Sequence, residues 1–337
     1  MKKLHYLFLP LLVICRSCAA ARCAFLVCLL LPCNFVLGQS DMKLHKIKPE
    51  WKLGDQKIVH TASSTKIFVK DSLFNTTEAT ANYSIEVIDT VKNYTLLYSN
   101  EPNSMDIETK ASVPKIDSAV NFFTDIIKKL EKETNSFKYE LLVDKSTGQA
   151  LKVKNSDAFL KTIQQFASTM IDELGEKMKK SSIQVDSIKQ KVVTYFKSAE
   201  PKILETMTNQ FNYIMQPYTY EFPYNSTISQ KTMVHDVNAL GEFGDVEIPA
   251  TLTISSKKHD NILMIQTDTD YDKDFLLALI KKKYSSMSDL TASDIFLSEK
   301  EETTFTTTNG WVVSHKSNVV FTTKEVKVIN ETIVNFQ

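Results

Sequence analysis

Along this chain the spacing of apolar side chains changes twice. From about Asn155 to Gln216 they return every three or four residues, as in Phe159, Ile163, Phe166, Met170 and Leu174, then Ile188, Val192, Val193 and Phe196, then Ile203, Met207, Phe211 and Ile214. That period predicts helices with one buried face. Gly175 and the Lys179–Ser182 run mark a first break and Pro201, suited to a first helical turn, a second; Pro217 and Pro223 close the region. On either side the period falls to two, as on strands with one face turned inward.

Before the helical stretch the pattern predicts a strand region started by Trp51, Gly54 and Asp55, in which Ile58, Thr61 and Phe68–Val69 partly alternate, a turn at Asn75–Glu78, and strands at Ala79–Asp89, Tyr94–Ser99 and Met105–Val113. A helix follows over Lys115–Thr134, with Ile116, Val120, Phe123, Ile127 and Leu130 on one side, and then a hairpin, Phe137–Val143 and Ala150–Lys154, turning at Asp144–Gly148. After it, Tyr218, Tyr220, Phe222 and Tyr224 alternate with other residues on an extended segment, as core or edge packing or as a ligand-facing wall. Strands are predicted at Ser226–His235, Val246–Ser256 and Ile262–Gln266, helices at Asp272–Tyr284 and Asp289–Leu297, and a strand at Thr303–Thr307. Asn309-Gly310 gives the strongest hairpin signal, leading to Trp311–Ser314, Val319–Thr322 and Val326–Val334.

Strands, a helix and a glycine-turned hairpin thus occur on both sides of the helical centre. The expected fold class is α+β: curved antiparallel sheets with covering helices, either as two related lobes joined by the central helical segment or as one large domain. The corresponding segments are a leader at 1–38, an exposed tether at 39–50, a β-rich lobe at 51–155, the helical segment at 156–217 and a second β-rich lobe at 218–337.

The leader changes the picture of where the chain works. Lys2 and Lys3 precede an apolar run from Leu4 to Ile14, a second run spans Ala24 to Leu37, and Val36-Leu37-Gly38 suits cleavage before Gln39. Neither run is long enough to cross a bilayer comfortably, and no later stretch is. Export to the periplasm or beyond is expected, with a tethered lipoprotein acylated at Cys33 as the alternative. All five cysteines (Cys15, Cys18, Cys23, Cys28, Cys33) lie in the leader, so the mature chain has no disulfide and no thiolate chemistry. Both arginines, Arg16 and Arg22, lie there too. Removing the leader's four basic residues from forty leaves thirty-six against forty acidic ones, a balance of minus four. Without arginine forks or a positive field, nucleic acid is excluded as a partner.

Candidate chemistry is sparse. Asp268, Asp270, Asp272 and Asp274 alternate like the opening of a calcium loop, but Lys273 stands where glycine should be and Leu279 where the closing glutamate should be; they read as capping and solvation before a helix. His45, His60, His235, His259 and His315 form no zinc spacing, and His235-Asp236 and His259-Asp260 are neighbours that a strand or turn would not aim together. Trp51 and Trp311 read as core or rim aromatics. Asn75, Asn82, Asn93, Asn225 and Asn330 each head a glycosylation sequon. Asp-Ser/Thr triplets at Asp71, Asp89, Asp117 and Asp186 resemble an O-glycosylation signal of Bacteroidetes envelope proteins. No catalytic, cofactor-binding or metal-ligating residue is assigned, and no cofactor is expected.

The leader ending Leu37-Gly38-Gln39, the lysine-rich chain without arginine, Trp51-Lys52-Leu53-Gly54, and the hairpins Asp144–Gln149 and Thr308–Trp311 resemble uncharacterised exported proteins of Bacteroidetes. In pattern they are also similar to LolA-like half-barrel lipoprotein carriers. That resemblance implies acyl chains held between a sheet and its helices, and it transfers no functional residue. The leading expectation is a non-catalytic envelope protein that binds a hydrophobic or lipid-like ligand. The alternatives are a structural or protein-interaction module of the envelope and a hydrolase with an unrecognised carboxylate site.

Overall fold

A computed structural model describes residues 44–100, 106–111, 138–158, 160, 161, 165, 201, 204, 205, 207–235, 246–283 and 289–337. The first half supplies strands β1 (Leu44–His45), β2 (Gln56–Val69), β3 (Ser72–Asp89), β4 (Tyr94–Asn100), β5 (Asp106–Ala111), β6 (Lys138–Val143) and β7 (Ala150–Val153). The second half supplies β8 (Phe222–Pro223), β9 (Thr227–His235), β10 (Glu247–His259), β11 (Ile262–Tyr271), β12 (Phe296–Thr306), β13 (Val312–Thr322) and β14 (Val326–Phe336). Apart from β1 and β8, which pair with each other, all belong to one twelve-stranded antiparallel sheet in the order β7-β6-β4-β3-β2-β14-β13-β12-β11-β10-β9, with β5 also beside β3.

This corrects the expected curved sheets in two lobes. β14 pairs with β2 from Val326↔Val69 to Phe336↔Val59, so the last strand and the first long one form the middle of a single ladder. The fold is α+β, but among the described residues its large sheet is one open array, neither closed nor divided into curved halves. Local pattern could not reveal this, because the pairing joins segments more than two hundred and fifty residues apart.

Individual elements follow the sequence closely where alternation is clean, and depart where polar residues misled the reading. The β2–β3 turn sits at Lys70–Asp71, both in the left-handed region (φ 49° and 63°), as a two-residue hairpin requires. Asn75–Glu78, expected to turn, runs through β3 instead. The second expected helix, Asp289–Leu297, is a single turn at Ala292–Asp294, capped by Thr291, and Phe296 already begins β12. The helix Lys273–Lys283 forms as expected, burying Leu276 and Ile280. Residues 207–214 are helical and pass into a short 3-10 turn, Gln216–Thr219. The expected helix at Lys115–Thr134 and most of the 155–216 stretch lie outside the described residues.

The larger apolar core gathers at the hairpin ends of the strands. Trp51 stacks on Trp311 with ring centroids 4.5 Å apart, and Tyr218 meets Phe305 edge to face at 5.2 Å. The segment expected as an exposed tether contributes to this core over its described residues: Ile47 and Pro49 are buried, and the Pro49 carbonyl accepts a bond from the Tyr94 hydroxyl. Gly310 (φ 72°) makes that fit possible, because a β-carbon there would overlap the Lys48 carbonyl. A second apolar cluster lies under the helix, where Leu276 and Ile280 pack with Ile248, Tyr271, Ile295 and Leu297.

Candidate functional site

Between those clusters the inward face of the sheet turns polar. On β12 the inward positions read Leu297, Glu299, Glu301, Thr303 and Phe305, all buried, while Lys300 faces out. Following the register from Glu299 gives Thr269 on β11, Val319 on β13, Asn330 on β14, Thr65 on β2, Thr77 on β3 and Thr109 on β5. The next row holds Thr267, Glu301, Ser317, Thr332 and Ser63, and the row after it pairs Thr303 with His315. A polar belt therefore crosses the sheet.

Its centre lies at the two glutamates. Glu299, 3% exposed, accepts hydrogen bonds from the hydroxyls of Tyr213 (3.2 Å) and Tyr271 (2.9 Å). Glu301 accepts from Thr267 Oγ1 at 3.1 Å. His315 is fully buried, with Nδ1 2.9 Å from Thr303 Oγ1 and its ring edge against Tyr213. Among the described residues its Nε2 has no hydrogen-bond partner. Burial pushes the imidazole pKa down, opposed by the Glu301 carboxylate, so the ring is held neutral. Burial, with Glu301 and Tyr271 nearby, raises the Tyr220 hydroxyl well above its ordinary range.

A cavity of about 20 Å³ opens beside this cluster, lined by Glu299, Glu301, Thr267, Thr269, Tyr220 and Gln216 with Leu252 and residues of β9. It has room for about one water, whereas sites for organic ligands measure roughly 300 Å³ or more. The arrangement can hold a water among the two carboxylates and the hydroxyls of Thr267, Thr269 and Tyr220. It cannot seat an acyl chain or an organic substrate, and no group of three or more His, Cys, Asp or Glu side chains placed to hold a metal occurs among the described residues.

The residues singled out from sequence are distributed differently. Tyr218, Tyr220 and Phe222 are core residues and Tyr224 is half-buried, stacked on His45 at 3.8 Å; Tyr218 lies in the 3-10 turn and not on an extended strand. Asp268 and Asp270 lie on the exposed face of β11, where Asp268 pairs with Lys300 at 3.5 Å, and only Asp272 caps the helix, through the Phe275 N–H at 2.8 Å. The run thus divides into solvated carboxylates at Asp268 and Asp270 and a cap at Asp272. His259 and Asp260 meet at 3.2 Å on the open surface, and His60 bonds Asn82 Oδ1 at 2.6 Å. Trp51 and Trp311 are core, and Trp311 Nε1 donates to Asp55 at 3.2 Å. Asn75 is buried, so its sequon is closed in the folded chain. Asp236 lies outside the described residues.

Glu299, Glu301, Tyr213, Tyr271 and His315 were not found from sequence. The available signal was parity: Leu297 and Phe305 share the glutamates' side of an alternating run, which makes them inward residues on a strand. Ser298–Glu302 fall between the helix expected to end at Leu297 and the strand expected to begin at Thr303, so neither expected element extends that parity to the glutamates.

Among the described residues no helix is long and apolar enough to cross a membrane. No protein-family model and no curated protein matches the chain. Of solved structures, one described as lipid–protein interactions in lipovitellin matches 86% of this chain and 25% of its own, at 7% identity and a TM-score of 0.43. An outer membrane channel from Pseudomonas putida F1 matches 90% of this chain and all of its own, at 7% identity and a TM-score of 0.20. The chain thus spans a quarter of the lipovitellin chain, and at these scores neither likeness carries an argument about what it does.

Proposed function

We propose that this is an exported, non-catalytic protein of the cell envelope, in the periplasm or beyond it, that acts by contact with another protein chain. The observation that carries this reading is the edge of the sheet at β9. Nine residues end the ladder there, and among the described residues no strand pairs with their outer side. Thr227, Ser229, Lys231 and Met233 are exposed, and Ile228, Gln230 and Thr232 are only half-buried, whereas their neighbours on β10 are buried. An open row of backbone donors and acceptors is a template for strand addition. A photo-crosslinking residue at Ser229, in protein expressed in its own envelope, should give one discrete protein adduct. The same residue at Lys300, exposed in the middle of the outer face, should give none. Equal adducts from both positions, or none from Ser229, would remove the reading.

An apolar-ligand reading draws on a different observation. Phe321, Val328 and Ile67, in register on β13, β14 and β2, face inward yet stay half-buried, an apolar strip beside the polar belt. Native mass spectrometry of envelope-purified protein, followed by organic extraction, separates the two: a stoichiometric lipid adduct favours the ligand, bare protein the protein contact.

A further inference from the structure

We infer that the strand completing β9 is β9 of a second copy of this chain, added antiparallel about a two-fold axis at Gln230. The inference rests on the protein-contact reading above and supplies its partner. Two features support it. The other ends of the sheet are blunted. β7 has four residues, and Asn212 caps its edge by accepting from the Ala150 N–H (2.5 Å) and donating to the Ala150 carbonyl (3.2 Å). β5 carries Asp106, Glu108 and Lys110 within six residues, which opposes pairing. One open edge and blunted alternatives make a closed pair, where two open edges would make a fibre.

Charge then excludes one register. Lys231 lies in the middle of β9, and a two-fold axis there would set it opposite its own copy, a destabilising like-charge pair. Centring the axis one residue earlier places Lys231 opposite Ser229 and Ile228 opposite Thr232, with Thr227 opposite Met233 at the margin. β-branched side chains then meet on the inward side, and the hydroxyl and ammonium groups share the solvated one. Lys231 thereby blocks its own register, and the register about Gln230 keeps the two ammonium groups apart while matching the β-branched inward pair.

The five cysteines all precede residue 39, which permits a direct test on exported protein. Gln230→Cys should oxidise to a disulfide-linked dimer, with wild type and Lys300→Cys oxidised in parallel remaining unlinked. Wild type should sediment as a dimer, and Gln230→Lys should weaken that dimer at least tenfold with its far-ultraviolet circular dichroism unchanged. Monomeric wild type at every soluble concentration, or equal crosslinking at Lys300→Cys, overturns the second copy. If wild type is monomeric and Ser229 still captures a different protein, the contact reading stands and only the second copy falls.

Discussion

Phe305 and Glu299 lie six residues apart on the inward side of one strand, yet they belong to different kinds of interior. Around Phe305 the core is aromatic, from Trp311 and Trp51 to Tyr218, and side chains there remove apolar surface from water. Around Glu299 each polar group must replace the water it lost, and it does so through tyrosine and threonine hydroxyls. The aromatic end therefore supplies stability, while the belt mainly fixes register. A one-residue slip of β12 would turn Lys300 inward and leave the Glu299 hydroxyl partners unmatched.

That contrast can be broken in order of size. Trp311→Ala should cost about 3–5 kcal/mol, since it empties a fully buried site stacked on Trp51. Urea unfolding checks it, and a loss below about 1 kcal/mol would mean that the aromatic end is not the main store of stability. Gly310→Ala should cost about 2–3 kcal/mol, through a positive φ and overlap with the Lys48 backbone. Its effect should fall to about 1 kcal/mol in a chain lacking residues 39–50, because the clash partner is gone and only the positive φ remains.

In the belt, Glu299→Gln should cost about 1–3 kcal/mol, since one of two hydroxyl donors then faces an amide N–H. Replacing Glu299 by Leu together with Tyr213→Phe and Tyr271→Phe should recover most of that loss, as removing every partner of a buried polar group costs less than removing one. If the triple variant is no more stable than Glu299→Gln, the belt contributes stability and not only register.

The smallest effects are in pH. The His315 pKa is depressed in the folded chain, so its contribution is complete above the unfolded value of about 6.5 and is lost as pH falls below it. His315→Gln should flatten the decline of melting temperature between about pH 6.5 and 5 relative to wild type. Tyr83, Tyr98 and Tyr139, stacked across β3, β4 and β6 at 5.5 and 4.7 Å, shift the other way, chiefly through burial. Their stabilising contribution is complete below about pH 10 and lost above it. An ultraviolet titration should show a group of tyrosines that ionises only with unfolding, and normal titration of all twelve would contradict their burial.

Much of the strand pattern was legible in the sequence because alternation is a local signal. β4, β6, β7, β9 and the helix Lys273–Lys283 form close to where the spacing predicts them, and the chain turns at Asn309-Gly310, though in a longer loop closed between Thr306 and Trp311 with Gly310 alone of the two at positive φ. The sequence alone also determined that every cysteine and arginine precedes residue 39. Tertiary structure decided the rest. β14 meets β2 through long-range pairing, and the faces of Glu299 and Glu301 depend on which strands flank them. Charged residues on a strand are read as solvated until a partner is placed over them. Here Tyr213, from a helix far along the chain, and Tyr271, at the end of the neighbouring strand β11, supply the hydroxyls that make burial of a carboxylate tolerable, and only folding brings them together.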